Sequence, residues 1–298
     1  MHEFKDTVAV ITGGASGIGY ALAEAALERG AKVVIADIRP EPLEAARAKL
    51  SAKGEVDAVV TDVSSYASVE ALAEATVARF GKVNLMFNNA GVFASCVSWE
   101  ASVEEYDWVI DVNLKSVIYG VKAFVPRMIA QGDPCHVINT ASGAGITVHP
   151  GFASYSMTKH GVVALTEALY LDLAAQKVPN IGVTLVMPGV VQSRIMFPEK
   201  TGPAALQGEL EARQANVALR NLEAGMRAGV DGGLPAAALA DQVFGAISRN
   251  DLYVLPNFTD EGSQALARAI GLGRAGAVNP YAANIEAMVA GLRADGAQ

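Results

Sequence analysis

Seven short runs of β-branched and other apolar residues alternate, along this 298-residue chain, with longer alanine-rich segments of helical period. The runs lie at 7–12, 32–37, 56–62, 83–89, 136–142, 181–187 and 252–256. Each is nearly continuous in apolar residues, as expected for strands buried on both faces of a parallel sheet. Candidate helices lie near 17–30, 40–53, 66–80, 102–130, 153–177 and 235–249. The alternation predicts an α/β fold with a doubly wound parallel sheet of about seven strands and helices on both faces.

The composition permits one large core and argues against polyanionic partners. Hydrophobic residues make up 51% of the chain and charged residues 18%, so a hydrophobic core can form without disulfide bonds or bound metal ions. Lys and Arg number 23 against 31 Asp and Glu, and no basic run breaks the net charge of −8, so neither nucleic acid nor an anionic membrane is expected to bind. No apolar stretch reaches the roughly 20 residues of a membrane helix, and the start lacks an export-signal pattern. Cys96 and Cys135 have no metal-ligand spacing, which favours reduced thiols and a cytoplasmic protein.

Two segments interrupt the strand–helix rhythm of what we expect to be a single domain over 1–298. Residues 194–233 carry many Gly, Pro, Gln and Arg residues and are longer than a connection between a strand and a helix requires. This segment is either a surface insertion or a substrate lid, and its position after the carboxyl end of a strand favours the lid. Residues 257–298 show helical spacing and are expected to form a tail that serves packing or a subunit interface.

A glycine-rich turn, "TGGASGIG" (12–19), follows the first predicted strand. Gly13, Gly17 and Gly19 allow a sharp turn and close approach of the backbone to a pyrophosphate, which then faces the amino terminus of a helix. The spacing is Gly-x3-Gly-x-Gly, and other tight strand–helix turns can share such a composition. Its place directly after "VAVIT" favours a dinucleotide site.

Asp37 ends the second predicted strand, about 20 residues further on, where a carboxylate can accept hydrogen bonds from the adenosine ribose. A carboxylate there would repel a 2′-phosphate, so Asp37 favours NAD over NADP. The alternative is that Asp37 caps the following helix, and both functions are compatible. Arg39 is a nearby cation that could accommodate a phosphate, whereas Ala15 is not the basic residue that would favour NADP.

Tyr155 and Lys159 stand four residues apart in "YSMTK", which places them on one face of a helix. A free phenol has a pKa of about 10, and lowering it to roughly 7 takes about 4 kcal/mol. A cation at about 4 Å in partly screened surroundings supplies energy of that order before desolvation. In an arbitrary sequence such a pair is usually surface packing, so its meaning depends on the surrounding motifs.

Seven motifs in order resemble the short-chain dehydrogenase/reductase family, over residues 4 to about 256. They are "TGGASGIG" (12–19), "DV" (62–63), "NNAG" (88–91), Asn113 in "DVNL", Ser142 in "NTASG", "YSMTK" (155–159) and "PGVVQS" (188–193). The resemblance implies a Rossmann-type fold and hydride transfer to or from a nicotinamide, and it implies that the family's dimers or tetramers form here as well.

The resemblance assigns a catalytic role to four residues. It implies that Tyr155 is the general acid/base and that Lys159 lowers its pKa and holds the nicotinamide ribose. It implies that Ser142 hydrogen-bonds the substrate oxygen, and that Asn113 interrupts a helix and holds a water of a proton relay. The expected cofactor contacts are Gly13, Ser16, Gly17, Ile18, Gly19, Asp37, Asp62, Val63, Asn89, Gly91, Tyr155, Lys159, Val191 and Ser193. No histidine pair or carboxylate cluster has metal spacing, so no metal is expected.

The expected activity is NAD-dependent oxidoreduction of a hydrophobic secondary alcohol or its ketone. The expected pocket lining is Ala94, Gly143, Ala144, Ile146, His149, Gly189, Met196 and Phe197. For His149, the interpretation as a plain loop residue is favoured over contact with the substrate. "FVPRMIAQG" and "LYVLP" are similar to a group of bacterial family members, some of which oxidise benzylic alcohols of lignin-derived aryl ethers. The alternatives are an NADP-dependent ketone or 3-oxoacyl-thioester reductase, a non-catalytic nucleotide-binding regulator, and an epimerase or dehydratase on a related fold. The complete set of four catalytic residues disfavours the regulator.

Overall fold

Seven parallel strands form one sheet in a computed structural model that describes residues 3–193, 195, 202–256, 261–276 and 279. The strands are β1 (Val8–Thr12), β2 (Lys32–Asp37), β3 (Val56–Val60), β4 (Leu85–Asn88), β5 (Cys135–Thr140), β6 (Ile181–Val186) and β7 (Tyr253–Val254). Their order across the sheet is β3-β2-β1-β4-β5-β6-β7. The direction of winding changes between β1 and β4, and open α/β sheets bind ligands at the carboxyl ends of the strands beside such a switch point. The predicted doubly wound fold is confirmed.

Helices cover both faces of this sheet. In the described residues they are α1 (Gly17–Glu28), α2 (Pro40–Leu50), α3 (Tyr66–Phe80), α4 (Val103–Ile110), α5 (Ser116–Gln131), α6 (Ala153–Ala175), α7 (Gln207–Ala212), α8 (Val217–Asp231), α9 (Ala236–Arg249) and α10 (Glu261–Ala275). Alternate strand residues enter two cores: Ile11 packs in the core that includes Leu22 of α1 and Phe244 of α9. Val10 packs in the other core, with α3, α5 and α6. None of the described helices is long and apolar enough to cross a membrane.

The prediction that every strand is buried on both faces is wrong for the two edge strands, β7, in which Tyr253 is exposed, and β3. The residues of β3 are half-buried, and Val60 at its end is 55% exposed. β3 pairs only with β2, so half of its backbone and part of its outer surface face solvent. The central strands β1, β4 and β5 are buried throughout, as expected.

The long helix predicted over 102–130 is divided by a π-helical turn at Asp111–Lys115, between α4 and α5. A π turn inserts one extra residue per turn and is often found at functional sites. The described part of the lid segment, which we define as residues 194–233, contains two short 3₁₀ turns and the helices α7 and α8. In the predicted tail, α10 is helical as expected, and residues 277–278 and 280–298 lie outside the described residues.

His136 is a buried neutral base in β5, 1% exposed. The Thr184 hydroxyl donates to the carbonyl of Asp251 at 2.8 Å, so it accepts the proton of His136 Nε2, which lies 2.8 Å away. Burial lowers the pKa of His136 to about 3, against roughly 6.5 in an unfolded chain. As pH falls below the pKa of His136 in the unfolded chain, the unfolded state therefore protonates His136 before the folded state does.

We expect the free energy of unfolding to fall by about 2 kcal/mol between pH 7 and pH 5 through His136 alone. The sign follows because the stabilisation is fully present above the unfolded pKa and is lost as pH falls toward the folded one. Urea unfolding of the wild type and of His136→Gln at both pH values measures how much the free energy of unfolding changes with pH in each protein. All other titrating groups are shared, so the difference between the two changes is due to His136. Equal changes would contradict the assignment.

Candidate active site

One cavity of about 1470 Å³ opens along the carboxyl ends of the strands, from β3 to β6. Every residue predicted to contact the cofactor lies on its wall: Gly13, Ser16, Gly17, Ile18, Gly19, Asp37, Asp62, Val63, Asn89, Gly91, Tyr155, Lys159, Val191 and Ser193. Ser142 also lies on the wall, whereas Asn113 is fully buried behind it. The sequence motifs therefore meet in one place although they are spread over most of the chain.

The glycine turn shapes one end of the cavity. Gly13 and Gly17 adopt φ values of +66° and +55°, which side chains with a Cβ rarely tolerate. A Cβ on Gly19 would lie 2.3 Å from the carbonyl oxygen of Gly13, so the close packing of helix and turn also needs glycine there. Ser16 precedes α1 in extended conformation and makes no side-chain capping bond within the described residues. The first N–H groups of α1 are thus available to an anionic ligand in the cavity.

Asp37 does not cap α2, so the prediction that it caps the helix after the second strand is wrong. The residue at the cap position is Arg39, which makes no side-chain cap. Asp37 instead holds Arg39: one carboxylate oxygen accepts from Nε at 3.0 Å and the other from Nη2 at 3.2 Å. Asp37 is 7% exposed, and its hydrogen bond raises the pKa of Arg39. The pair places a carboxylate and a guanidinium together at this end of the cavity.

Asn89 joins the ends of the two strands at the switch point. Its side-chain amide donates to the carbonyl of Thr12 at 3.0 Å, and its backbone N–H donates to the Thr12 hydroxyl at 3.0 Å. The Thr12 hydroxyl in turn donates to the carbonyl of Phe87. This small network fixes the floor of the cavity between β1 and β4.

Tyr155 and Lys159 project from α6 into the middle of the cavity, as their spacing predicts. Lys159 Nζ donates to the carbonyl of Thr140 at 3.0 Å and lies 5.6 Å from the ring centre of Tyr155. Ser142 faces Tyr155 within reach of its hydroxyl, and the Ser142 oxygen accepts from the N–H of Ala144 at 3.2 Å. Both α6 residues are buried, with exposed fractions of 7% for Tyr155 and 3% for Lys159.

Burial controls the acidity of this cluster. It raises the pKa of Tyr155, and the hydrogen bond from Ser142 opposes that rise. It also lowers the pKa of Lys159 to about 8, because the ammonium ion loses its hydration. The predicted lowering of the phenol pKa by Lys159 must therefore overcome the desolvation of the phenolate in this structure.

Asn113 sits in the π turn, so the predicted local interruption of the helix is present. Its side-chain oxygen accepts from the Val92 N–H at 2.7 Å, and its amide donates to the Val92 carbonyl at 2.9 Å. A Cβ on Gly91 would lie 3.3 Å from Asn113 Oδ1 and 3.5 Å from Lys159 Nζ, so both side chains approach the same glycine. Asn113 thus fixes the segment that passes beside Lys159.

The apolar end of the cavity is only partly as predicted. Gly189 lines it, whereas Met196 and Phe197 lie outside the described residues. Five expected lining residues are not on its wall: Ala94, Gly143, Ala144, Ile146 and His149. His149 instead packs its ring 5.6 Å from that of Phe152 and bonds the Thr147 hydroxyl. Ala94 and Ala144 are buried and Ile146 packs against a core cluster, whereas His149 is exposed and Gly143 has no side chain.

The residues that the sequence reasoning missed are mostly large and apolar. They are Phe93, Trp108, Phe152, Ile195, Leu222, Met226 and Val230. The rings of Phe93 and Tyr155 lie 5.1 Å apart, and those of Phe93 and Phe152 lie 5.0 Å apart. The signal for Leu222, Met226 and Val230 was their spacing of four on a helix in the predicted lid. No group of three or more His, Cys, Asp or Glu side chains in the described part of the chain could hold a metal ion.

Comparison with known proteins agrees with this geometry. The profile of a family described as short chain dehydrogenase matches residues 7–202. A CLA biosynthesis dehydrogenase/reductase of Lactiplantibacillus plantarum is 34% identical over 86% of this chain and 89% of its own length. A C alpha-dehydrogenase of Sphingobium sp. (strain SYK-6) is 32% identical over 86% and 82%, respectively.

A solved structure shows the same fold over most of the chain. The crystal structure of a short-chain dehydrogenase/reductase from Burkholderia phymatum in complex with NAD is 38% identical in sequence, with a TM-score of 0.88. The match covers 94% of this chain and 98% of that one. With the matched profile, the two relatives and the convergent motifs, the chain belongs to the short-chain dehydrogenase/reductase family of oxidoreductases.

Proposed function

We propose that this protein is an NAD-dependent dehydrogenase that transfers a hydride between the nicotinamide and an apolar secondary alcohol or its ketone. The observation that carries the proposal is the position of Ser142, Tyr155 and Lys159 on the wall of one cavity. On one side of them lies the glycine turn, and on the other lies the apolar end. An acid/base group with a substrate-holding hydroxyl beside a dinucleotide site is what hydride transfer to a carbonyl requires.

The chemistry of the cavity wall fits NAD. The uncapped amino terminus of α1 offers N–H donors to a pyrophosphate, and the Asp37 carboxylate offers acceptors to ribose hydroxyls. NAD in the complex of the Burkholderia phymatum protein supports the same choice. When bound, the nicotinamide supplies or accepts the hydride.

The residues of the chain then handle the proton. In the direction of reduction, the Tyr155 hydroxyl donates its proton to the substrate oxygen, and in oxidation the phenolate removes it. Ser142 donates a hydrogen bond to the same oxygen and holds it at Tyr155. The side chains of Lys159 and Asn113 both approach Gly91. We further propose that Lys159 favours the phenolate form of Tyr155 and passes the proton toward solvent.

The apolar end determines the class of substrate in this proposal. Beyond Tyr155, no described lining residue of the lid segment carries a charged side chain, and Phe93, Phe152 and Trp108 supply aromatic surface. Binding an uncharged alcohol with an aromatic or alicyclic group buries this surface, whereas a sugar phosphate would find no cation among the described lid residues of the wall. The name of the Sphingobium relative, a C alpha-dehydrogenase, is compatible with an alcohol of this kind. We propose that residues 194–233 form the lid over this end of a single domain.

The proposal is tested by titrating the purified protein with NADH and NADPH, and by following formation of reduced nicotinamide with NAD and a panel of apolar secondary alcohols. Tighter binding of NADH with turnover of benzylic or alicyclic members is the expected result. Binding of neither cofactor would overturn the proposal, and turnover of 3-oxoacyl thioesters with NADPH would replace it by the reductase alternative.

We expect Asp37→Ala to weaken the binding of NAD and to allow NADP to bind. The substitution removes the acceptors for the ribose hydroxyls, and it releases the guanidinium of Arg39 that Asp37 now holds through both oxygens. A shift of about tenfold or more in the ratio of kcat/KM for the two cofactors corresponds to about 1.4 kcal/mol. In the matched double variant, Asp37→Ala with Arg39→Ala, the increase in kcat/KM for NADP should be lost. If the single variant leaves the cofactor preference unchanged, Asp37 does not select the cofactor.

A further inference from the structure

We propose that Arg213 is a positioning residue, which fixes the cavity-lining helix α8 over Tyr155 by joining the lid segment to the chain that follows β4. This inference rests on the proposed function, because it assigns the apolar end of the cavity to the substrate. The side chain of Arg213 is 10% exposed, between the helices α7 and α8, and it is enclosed by polar groups from outside the lid segment.

Arg213 binds three groups at once. Its Nη1 donates to the carbonyl of Ser95 at 2.7 Å, and its Nη2 lies 2.8 Å from a carboxylate oxygen of Glu209 in α7. Nη2 also contacts the carboxylate of Glu105 in α4, whose side chain is 1% exposed. A guanidinium can face several oxygens at once because its donors form a planar fork. An ion pair this well buried holds its two elements in a defined relation, since separating it would leave a carboxylate buried without its cation.

Ser95 extends the connection to α8. Its hydroxyl donates to the carboxylate of Glu223, and both side chains are buried. Glu223 directly follows Leu222, which lines the cavity, and lies one turn before Met226 and Arg227. Ser95 therefore makes two hydrogen bonds to the lid segment. Its carbonyl accepts from Arg213, and its hydroxyl donates to Glu223 of α8, the helix that covers the apolar end of the cavity.

The other end of this connection reaches the catalytic tyrosine. Ser95 lies two residues after Phe93, whose ring packs 5.1 Å from that of Tyr155. Asn113 holds the neighbouring Val92 through both of its backbone polar groups. The segment from 91 to 95 is thus fixed to the π turn on one side and to the lid on the other, so the position of Leu222 and Met226 relative to Tyr155 depends on Arg213.

Apolar contacts beside Arg213 supply a spectroscopic probe of the same junction. Leu206 and Leu210 of the lid are buried against Ala94 and Val109, and Trp108 packs on this cluster. The chain contains two tryptophans, and the other, Trp99, is 85% exposed. In a Trp99→Phe background, the emission of Trp108 reports whether the lid stays in contact with α4.

The experiment compares Arg213→Met with Arg47→Met in that background. Arg47 makes an exposed ion pair with Glu44 on α2, so its loss serves as the matched control. For Arg213→Met we expect KM for the alcohol to rise about tenfold or more, with kcat and the Kd for NADH within about twofold of wild type, the pattern of lost substrate binding alone. Trp108 emission should move to longer wavelength, and the control should change neither quantity. Arg213→Lys keeps the charge but not the fork, so its values should be intermediate.

The outcomes separate this inference from the proposed function. If no alcohol is turned over by the wild type, the proposed function fails, and the Trp108 emission of Arg213→Met still decides whether Arg213 holds the lid. Unchanged emission and KM would overturn the inference, as would equal losses in alcohol KM, kcat and NADH affinity, which indicate general structural damage. Should Arg213→Met not fold, Arg213→Lys decides, and a wild-type KM and emission in that variant would overturn the inference.

Discussion

Tyr155→Phe is expected to lower turnover by about 10²- to 10⁴-fold, the range that a positioned acid/base group contributes, while NADH binds with a Kd within about twofold of wild type. The substitution removes one hydroxyl and keeps the ring, so the edge contacts with Phe93 and Phe152 are retained. Ser142 loses its tyrosine partner but still accepts from the N–H of Ala144 at 3.2 Å. The change therefore acts on the proton and leaves the cavity in place.

The measurement is steady-state turnover of the best alcohol from the panel, beside a fluorescence titration with NADH. Tyr170→Phe is the matched control, because Tyr170 lies on the same helix and is 44% exposed. Turnover by Tyr155→Phe at the wild-type rate would remove Tyr155 from the mechanism. Absence of turnover in the wild type as well, with tight NADH binding, would support the nucleotide-binding regulator.

The pH dependence of the wild type follows from the same hydroxyl. Because burial raises the pKa of Tyr155, the protonated form that reduction needs predominates at neutral pH. Oxidation needs the phenolate, so its kcat/KM should increase with pH through the alkaline range, while reduction should decrease. The profile in both directions, measured at constant ionic strength, checks this. Oxidation that is fastest in mildly acidic solution would contradict it.

The sequence could predict the cofactor end of the cavity because local patterns place it there. Gly13 directly follows β1, Gly19 lies in the first turn of α1 and Asp37 ends β2, and the carboxyl ends of parallel strands share one edge of the sheet. Tyr155 and Lys159 share a helix face by their spacing alone. Contacts of this kind need only the order of elements and the side-chain period, both of which the sequence displays.

The substrate end was beyond such reasoning because it depends on contacts between distant segments. Whether Leu222 and Met226 line the cavity is set by Arg213 with Glu105 and by Ser95 with Glu223. Polar pairs of this sort leave no periodic signal. His149 and Ala94 were expected on the wall only because their loops pass near it, and a loop does not specify which way a side chain turns. The exposure of β3 was missed for a related reason, since an edge position is a property of the sheet and not of the strand.

Lys159→Met is expected to have the second large effect, a fall in kcat/KM of about 10²-fold or more, together with weaker NADH binding. Methionine keeps most of the volume of the 3% exposed side chain but removes the charge and the hydrogen bond to the Thr140 carbonyl. In the wild type, the ammonium lies 5.6 Å from the centre of the Tyr155 ring, and we propose that it favours the phenolate by Coulomb attraction. Without it, only the burial that raises the phenol pKa remains.

The sign of the accompanying pH shift discriminates a tuning role from a purely structural one. Loss of the cation removes its stabilisation of the phenolate over the pH range in which Lys159 is charged, so in that range the rise of oxidation should begin at higher pH than in the wild type, and reduction should persist to higher pH. The difference from wild type should be largest below pH 8, because the pKa of Lys159 is about 8 and its own charge is lost above that value. Lys53→Met, which removes an exposed lysine paired with Glu24 and Glu28, is the control and should leave both limbs in place. If the limbs of Lys159→Met coincide with those of the wild type while NADH binding weakens, Lys159 holds the cofactor and does not set the acidity of Tyr155.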